Sequence, residues 1–498
     1  MPNATIIPFQ PPLPQVLPTI EGNVDYRDLR DQLLRIESLL LQSHLETQFL
    51  QQDLQRWLGK RKSLSPKAQQ NHQLHSQRAL RCNIARILLQ EDYRGFATRL
   101  ADSPLLQYFC LLSRVDVITV PSKSTLQRYD LWWPEAEVRA LIAQLLNQGA
   151  TAPKALHLPE ALDLESAFLD TTCLKANIHY PVDWVLLRDA TRTLMKSVAL
   201  IRTQGLKHRM EEPESFLTRI NQLCIQMTHA GHRKDAAQSR RQRKQTLRQM
   251  DRLVGTVRNH ARRYRQMLDQ QWRQTQWTRP QTEQVLRRMD RVLEQLPQAR
   301  QQARQRILAE QPVANEDKIL SLYEAEVRVI VRKKPGAEVE FGNTLFLAEN
   351  PQGLIIDWEL LRQSAPADSK LLPRSVGRME EVYGPKLNAL AGDRGFDSEL
   401  NRVGLDLDGI YNAVCPRNPR QLKKRSRSWK FKRLQRRRAQ TEGRISILKH
   451  VFLGQPLRSK GFEHRQLSVT WTVLVHNLWV LARMGQRVEA AAARQKAA

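Results

Sequence analysis

The chain has 498 residues and a strong excess of positive charge, with 79 Lys and Arg against 50 Asp and Glu and a formal net charge of +29. A length several times that of a single domain of about 100–200 residues predicts two to four structural units. Such an excess of cations is most simply neutralised by a polyanion, so nucleic acid is the first candidate partner. An anionic membrane ranks second, because the basic residues recur over most of the chain rather than beside an anchor.

The ends of the chain and its cysteines narrow the class further. The five cysteines show no CxxC or Cys/His spacing, which argues against a zinc site and suits reduced thiols in a cytosolic enzyme. With nucleic acid as its partner, such an enzyme is expected to be nucleoid-associated. Residues 1–24 are proline-rich without a basic start and apolar run, which predicts a disordered arm rather than a signal peptide. The apolar stretch Leu467–Met484 contains several polar residues and is short for a span of about 20 residues. We therefore expect no membrane partner, a packing helix over 466–486 and a flexible tail at 487–498.

The N-terminal region, residues 25–150, has helical patterns throughout. Apolar residues at three- and four-residue steps predict one amphipathic helix from Asp25 to about Leu58, followed by a polar linker centred on Ser63–Gln77. Short helices joined by tight turns follow, and the segment VPSKSTLQRYD carries Lys123, Gln127 and Arg128. Such helices would suit a helix-turn-helix DNA reader, and an ordinary helical bundle is the alternative.

Strand-like sequence begins near residue 160 and returns after residue 316. The order of strands, helical excursion, strands and helix predicts an α/β core made of 160–202 and 316–465, interrupted by a helical insertion at 203–315. The predicted strands are Ala167–Thr172, Leu174–Tyr180, Glu326–Arg332, Val339–Ala348, Leu354–Leu361, Leu387–Ala391 and Ile410–Val414.

The insertion is the most basic long segment of the chain. Between Arg233 and Ile307 there are twenty Lys and Arg against six Asp and Glu. Two apolar series at heptad-like spacing, Leu247–Leu268 and Val285–Ala303, are joined by a polar link with Pro280, which predicts an antiparallel helical hairpin. Its outer faces are open to two interpretations, solvated charge or DNA contact, and the hairpin is also one possible contact surface between copies of the chain.

Three acids stand out by their surroundings. Asp170 lies near the end of an apolar strand in SAFLDTTCLKANIHYP, Asp393 follows another strand in LNALAGDRGFDSEL, and Glu442 lies on a basic helix in RRRAQTEGRISILKHVF. Mg²⁺ prefers oxygen ligands, and two such ions about 3.5–4 Å apart can activate an attacking hydroxyl and stabilise a leaving oxygen. Each acid also has an ordinary structural alternative, as a turn, a cap or a salt bridge. We expect only such structural roles for the neighbouring acids Asp357, Asp368, Asp397 and Glu340.

At these residues the sequence resembles the DDE transposases of bacterial insertion sequences. The similar segments are LDTTCLKANIHYPVDWVLL, VEFGNTLFLAENPQGLI with PADSKLL, GDRGF and the block around Glu442, and they cover roughly residues 160–200 and 316–485; VPSKSTLQRY looks similar too. The resemblance implies a ribonuclease-H-like catalytic core. It also implies that Asp170, Asp393 and Glu442 form a metal-binding catalytic triad with two Mg²⁺ or Mn²⁺ ions.

The third block fits part of a signature of this family, Tyr-x2-Arg-x3-Glu-x6-Lys. Arg438, Glu442 and Lys449 have the required spacing, but Gln435 stands at the tyrosine position, which leaves the subgroup open. Steps of three and four residues place Arg438, Glu442 and Lys449 on or beside one helical face, so both cations could hold DNA phosphates.

The surrounding segment Arg417–Arg444 contains thirteen Lys and Arg and a single acid. We expect Lys430, Lys432 and Arg444 to be further DNA contacts. The aromatic residue Trp429 could stack on an unpaired base, but packing is the preferred interpretation.

These features together predict a transposase. It would bind the inverted repeats at the ends of its element through the N-terminal helices, nick the DNA, and join the exposed 3′-hydroxyl to target DNA by in-line transesterification. Work on two double-stranded ends calls for a homodimer or a higher assembly, and Asp170 is the best candidate to bridge both metal ions. The alternatives are a ribonuclease-H-like nuclease without strand transfer and a domesticated, transposase-derived DNA-binding protein.

Overall fold

A computed structural model describes residues 18–59, 65–112, 117–334, 337–384 and 387–497. These residues are mostly helical and contain one mixed sheet of six strands. The strands are β1 (Ser166–Lys175), β2 (Arg328–Lys334), β3 (Ala337–Glu349), β4 (Ile355–Leu360), β5 (Ala389–Ala391) and β6 (Tyr411–Asn412). The helices are α1 (Val24–Gln42), α2 (Leu45–Leu58), α3 (Pro66–Leu88), α4 (Tyr93–Asp102), α5 (Pro104–Phe109), α6 (Lys123–Asp130), α7 (Glu135–Thr151), α8 (Asp183–Thr203), α9 (Pro213–Gly231), α10 (Ala236–Gln271), α11 (Arg279–Ala303), α12 (Asp368–Tyr383), α13 (Glu399–Leu407), α14 (Pro419–Arg425), α15 (Trp429–Ile447) and α16 (Phe462–Ala497).

The sheet is built around β1. This strand pairs antiparallel with β3 on one side and parallel with β5 on the other, and β6 lies parallel beside β5. The long strand β3 pairs along its outer edge with β2 through its first half and with β4 through its second half. A mixed sheet covered by helices agrees with the predicted α/β class. The two predicted runs 167–172 and 174–180 contribute a single strand.

Both faces of β1 are covered, which explains its nearly continuous apolar sequence. Ala167 and Leu169 face the main hydrophobic core, whereas Phe168 between them faces a small cluster beneath α15. This alternation is the usual consequence of the two-residue period of a strand.

The N-terminal helices share the main core with the sheet. This core contains residues of α1 to α7, one face of the sheet, α12 and α16. The central helix α16 buries Trp471, whose indole Nε1 donates a hydrogen bond to the backbone oxygen of Asp130 on α6. The change of pattern near residue 150 therefore marks a change of secondary structure but no break in the core.

Helices α8 to α11 form a second unit with a core of its own. The hairpin of α10 and α11 is antiparallel, because Asp251 pairs with Arg300 at 2.7 Å while Arg265 pairs with Asp290 at 2.8 Å. The sequence assigned α8 to the catalytic core, but its buried residues lie in the second core instead. The amphipathic pattern of α8 showed which face is apolar and carried no information on its partner.

Several predicted boundaries shift. The first amphipathic stretch is two helices, because His44 takes a left-handed conformation with φ of 55° between α1 and α2. The predicted polar linker largely forms α3, which Ser65 caps at its start, while residues 60–64 lie outside the described residues. The C-terminal helix starts at Phe462 and continues to Ala497, through the segment predicted as a flexible tail.

Two further predictions concern the arm and the membrane. Residues 1–17 of the predicted N-terminal arm lie outside the described residues. Among the helices of the described ranges, none combines the length and the apolar character needed to cross a bilayer.

Candidate active site

Two of the three predicted acids are neighbours because of the strand register. Phe168 of β1 pairs with Ala391 of β5 in parallel, and Asp170 and Asp393 each follow two residues later. Because β1 and β5 run parallel in this register, the two carboxylates lie at the same level of the sheet. The sequence placed Asp170 near the end of its strand; it lies in the middle of β1, just beyond the point where β5 stops pairing.

The third acid arrives on α15, which covers this face of the sheet. Phe431 and Leu434 of α15 pack in the cluster that contains Phe168. Three- and four-residue steps along the same helical stripe then bring Arg438 and Glu442 over the acids. The apolar first half of the stripe thus fixes the position of its charged second half.

All three carboxylates meet around one cation, the guanidinium group of Arg438. Its Nη2 atom lies 3.0 Å from Asp170 Oδ2, 3.8 Å from Glu442 Oε1 and 4.0 Å from Asp393 Oδ2. The side chain of Asp170 is 12% exposed, that of Asp393 42% and that of Glu442 68%. The acids therefore form a cleft with a buried floor at Asp170 and an open side at Glu442.

Backbone groups hold the two strand acids in place. Asp170 Oδ1 accepts a hydrogen bond of 2.7 Å from the Thr171 N–H, and Asp393 Oδ1 accepts one of 2.8 Å from the Gly395 N–H. A Cβ atom at Gly395 would lie 2.5 Å from the Asp368 carboxylate and 3.0 Å from Asp393 Oδ1. A side chain at position 395 would therefore displace the Asp368 carboxylate and crowd that of Asp393.

Gln435, one turn before Arg438 on the same helix, joins α15 to the sheet. Its Nε2 donates hydrogen bonds to the backbone oxygen of Gly392, at 3.1 Å, and to that of Ala413. These two oxygens belong to the segments that follow β5 and β6, and Gly392 directly precedes Asp393. The amide therefore positions the loop that carries the second acid.

Burial is the main electrostatic influence on the floor of the cleft. Burial raises the pKa of Asp170 to about 6; Arg438 and the Thr171 N–H oppose this shift, whereas Asp393 and Glu442 add to it. Arg438 Nε is buried and has no hydrogen-bond partner among the described residues. Three carboxylates thus share one guanidinium, and additional positive charge would be favourable.

The donor set suits a hard divalent cation. In the described ranges, no three His, Cys, Asp or Glu side chains are arranged as metal ligands as they stand. Asp170, Asp393 and Glu442 contact the Arg438 guanidinium instead. Their carboxylates are nevertheless the type of oxygen ligand that Mg²⁺ and Mn²⁺ prefer, with neither thiolate nor imidazole among them.

Lys449 extends the site along β1. Its Nζ lies 3.0 Å from Thr172 Oγ1, and Thr172 is two residues after Asp170 on the same face of the strand. Lys449 follows α15 in a short π-helical turn, Leu448–Leu453. The predicted phosphate contacts Arg438 and Lys449 thus both lie beside the acids.

Arg444 contacts the end of β3 and the turn that follows it, and not the three acids. Its Nη1 donates to the Gln352 backbone oxygen at 3.3 Å, and its Nε lies 3.7 Å from Glu349. Gly353 has φ of 91°, and a Cβ atom there would lie 1.4 Å from the Arg444 guanidinium. Where the sequence predicted a DNA contact, the structure shows a contact that attaches α15 to the turn between β3 and β4.

Glu349 received no role from the sequence. It lies at the end of β3 opposite Phe168, its side chain is 4% exposed, and its Oε1 accepts hydrogen bonds from Arg437 at 2.6 Å and Thr441 at 2.7 Å. These contacts hold α15 against the sheet. The sequence shows an acid at the end of an apolar run, which is a signal for a buried carboxylate. It does not show that the partners of this acid lie 88 and 92 positions further along the chain.

The start of α15 is exposed. Lys432 is exposed, and Lys430 Nζ lies 4.2 Å from the centre of the Tyr411 ring. Trp429 is 70% exposed, with the Arg433 guanidinium 4.8 Å from its ring centre. The prediction that Trp429 packs is therefore wrong, because it lies in the first turn of α15, before the residues that reach the sheet.

The predicted DNA-reading residues lie on α6, apart from the acids. Lys123, Gln127 and Arg128 are all exposed, and Arg128 donates to Thr125 Oγ1 at 3.0 Å. Lys123 and Gln127 line a groove of about 1000 Å³ between the N-terminal helices and residues 452–460. No contact in the described residues joins these three side chains to the acids.

Four further acids lie in or near the segments that resemble DDE transposases, and each contacts neighbouring residues of the fold. Asp357 pairs with Arg378 at 2.7 Å and Asp397 with Arg402 at 2.8 Å. Glu340 lies 3.1 Å from Lys175. Asp368 is the first residue of α12 and approaches Gly395.

Comparisons of the chain with family models, curated proteins and solved structures gave no match.

Proposed function

We propose that the protein is a DDE-type transposase that cuts the ends of its own DNA element and joins them to target DNA. The observation that supports this most is the convergence of Asp170, Asp393 and Glu442 around Arg438. These acids come from a central strand, a neighbouring strand end and a covering helix.

The sheet supports the proposed core. Strands β1, β3 and β4 form an antiparallel meander, and β5 and β6 lie parallel to β1 on its other side. This arrangement is compatible with the ribonuclease-H-like core that the resemblance implies. The chain leaves the sheet after β1, forms α8 to α11, and returns to the sheet at β2. This helical unit can therefore be long without disturbing the pairing of β1 with β5.

Each residue of the cleft has a part in the proposed chemistry. Divalent ions, when bound, would activate the attacking oxygen and stabilise the leaving oxygen. Asp170, Asp393 and Glu442 would hold them, with Asp170 the most buried of the three. Arg438 and Lys449 would hold a backbone phosphate beside the acids, since both are cations directed at β1.

Binding of the element ends would fall to the N-terminal helices. Lys123, Gln127 and Arg128 lie exposed on the short helix α6, as a reader of base edges requires. Because α6 shares a core with the sheet through α16, the read base pairs and the cleaved phosphate would keep a fixed separation. Joining two ends requires at least two copies of the chain.

A strand-transfer assay tests the proposal. Pre-cleaved duplexes carrying the inverted repeats that flank the gene would be incubated with the protein, Mg²⁺ and a target plasmid. We expect joined products from the wild-type protein and from Asp406→Asn, a control at an exposed acid of α13. Asp170→Asn should give none, and full joining by this variant would refute the triad. Cutting without joining would indicate a nuclease, and binding without either reaction a DNA-binding protein.

A further inference from the structure

The outer face of α10 carries an unusual row of side chains. Residues at three- and four-residue steps, with one gap of seven residues around the half-buried Gly255, lie opposite the buried seam of this helix, and the side chains named below are exposed. We name this row the α10 stripe; its members are Arg241, Gln245, Arg248, Arg252, Asn259, Arg262 and Gln266. At a rise of about 1.5 Å per residue the stripe is roughly 38 Å long.

The α10 stripe contains no acid. The acids within α10 are Asp251 and Asp269, and both lie off the stripe: Asp251 binds Arg300 and Arg304, and Asp269 binds Arg265. Within the residues that the structure describes, the guanidinium groups of Arg241, Arg248, Arg252 and Arg262 make neither ion pairs nor side-chain hydrogen bonds. Four like charges are therefore aligned without internal compensation.

A neighbouring arginine shows the same shortage of anions. Arg258 is half-buried beside the stripe, and its Nε is buried without a hydrogen-bond partner among the described residues. Burial and the charges of Arg262 and Arg300 lower the pKa of Arg258. An external anion at this position would relieve both the desolvation and the repulsion.

We propose that the α10 stripe binds the phosphate backbone of double-stranded DNA without sequence preference. This inference rests on the proposed function, since it gives the same enzyme a second DNA contact outside the catalytic cleft. The stripe length matches about one turn of B-form DNA, roughly 34–36 Å. Arginine, glutamine and asparagine are all common donors to phosphate oxygens.

The charge of the stripe argues against a second copy of the chain as its occupant. A symmetric contact between two identical stripes would place arginines opposite arginines, which is repulsive. Duplex DNA, with one negative charge per about 1.7 Å of its axis, supplies the opposite charge along the whole length.

The test measures how DNA affinity depends on salt. The full chain with Arg241→Gln, Arg248→Gln, Arg252→Gln and Arg262→Gln would be titrated with a random-sequence duplex of about 40 base pairs by fluorescence anisotropy. We expect the slope of log affinity against log salt to become shallower by about 3 to 4, because each lost phosphate contact contributes about 0.9. The four corresponding Arg→Lys changes keep the charge and should keep the slope.

A matched control separates the stripe from bulk charge. Arg279→Gln, Arg287→Gln, Arg288→Gln and Arg291→Gln remove the same charge from exposed positions of α11. Acids accompany these arginines: Glu283 pairs with Arg279 at 2.9 Å, and Glu294 follows Arg291 by three residues. We expect a slope change below about 1 for this variant. Equal losses in both variants, or unchanged binding by the stripe variant, would overturn the inference.

Self-association and joining activity complete the test. A stripe variant that changes the sedimentation of the protein but not its DNA affinity would show a protein contact and overturn the inference. Failure of the wild-type chain to join ends would instead refute the transposase proposal, while leaving the salt-dependent binding to be judged separately.

Discussion

Two arginines of α15 lie beside buried acids, whereas the arginines of the α10 stripe have no acid as a partner among the described residues. Arg437 and Arg438 lie against the buried acids Glu349 and Asp170, and their side chains are 14% and 15% exposed. The arginines of the α10 stripe point outward without an anion. Two helices of similarly basic composition therefore differ in the surroundings of their arginines, and the position of nearby acids distinguishes them.

The two regions also have complementary deficits of charge. Around Arg438 three carboxylates share one cation, so the cleft lacks positive charge. Along the α10 stripe four cations share no acid, so that surface lacks negative charge. A divalent ion would satisfy the first region and a DNA backbone the second.

The largest expected effect comes from the most exposed acid of the cleft. Glu442→Gln should lower metal-dependent cleavage by about 10³-fold or more, because a carboxylate ligand is lost. Its side chain is 68% exposed, so the free energy of unfolding should change by less than about 0.5 kcal/mol. Single-turnover cleavage and urea unfolding measure the two quantities. A large loss of stability with retained cleavage would make Glu442 a structural residue like Glu349.

The pH dependence of cleavage should report the deprotonation of Asp170. Because Asp170 must lose its proton to bind a metal ion, and its pKa is about 6, cleavage should rise about tenfold per pH unit below that value. More Mg²⁺ should move the midpoint to lower pH, since metal and proton compete. Arg438→Gln removes the opposing cation and should move the midpoint to higher pH. If neither added Mg²⁺ nor Arg438→Gln moves the midpoint, the pH dependence does not report the deprotonation of Asp170.

A smaller effect is expected from Gln435. Gln435→Ala removes two hydrogen bonds to the loop before Asp393, so we expect cleavage to fall about tenfold and the free energy of unfolding to fall by about 1–2 kcal/mol. Gln435→Glu keeps the size of the side chain but replaces the donor with an acceptor, and should be at least as harmful. If both variants cleave DNA and unfold as the wild-type protein does, Gln435 does not position the loop before Asp393.

The stability of the metal-free protein provides the smallest effect. The folded Asp170 carboxyl holds its proton more tightly than the unfolded one, so its contribution is full below pH of about 4 and is lost as pH rises through about 6. Asp170→Asn should therefore stabilise the protein at pH 7 by about 1–2 kcal/mol, and by less at pH 4.5. Urea unfolding in a chelator measures this difference. An equal effect at both pH values would contradict the burial argument.

Local patterns predicted much of the molecule. Strand periodicity located the β1, β3 and β4 segments, and heptad spacing located the buried seam of α10, from Leu247 to Leu268. Asp170 and Asp393 could be selected because each follows an apolar run. These features depend on neighbours within a few residues, which a single sequence displays.

Long-range pairings could not be predicted. The register of Phe168 with Ala391 decides that the two acids are adjacent, and the sequence contains no mark of it. The same limit explains why Glu349 received no role, since its partners lie 88 and 92 positions away along the chain.

We propose that Asp170, Asp393 and Glu442 bind divalent metal in place of their contact with Arg438. Mn²⁺ would be titrated into the protein bound to a pre-cleaved DNA end, and the free ion would be measured by electron paramagnetic resonance. We predict saturable Mn²⁺ binding by the wild-type protein that weakens at least about tenfold in Asp170→Asn and is unchanged in Asp406→Asn. Equal Mn²⁺ binding by the wild-type protein and Asp170→Asn would contradict the claim.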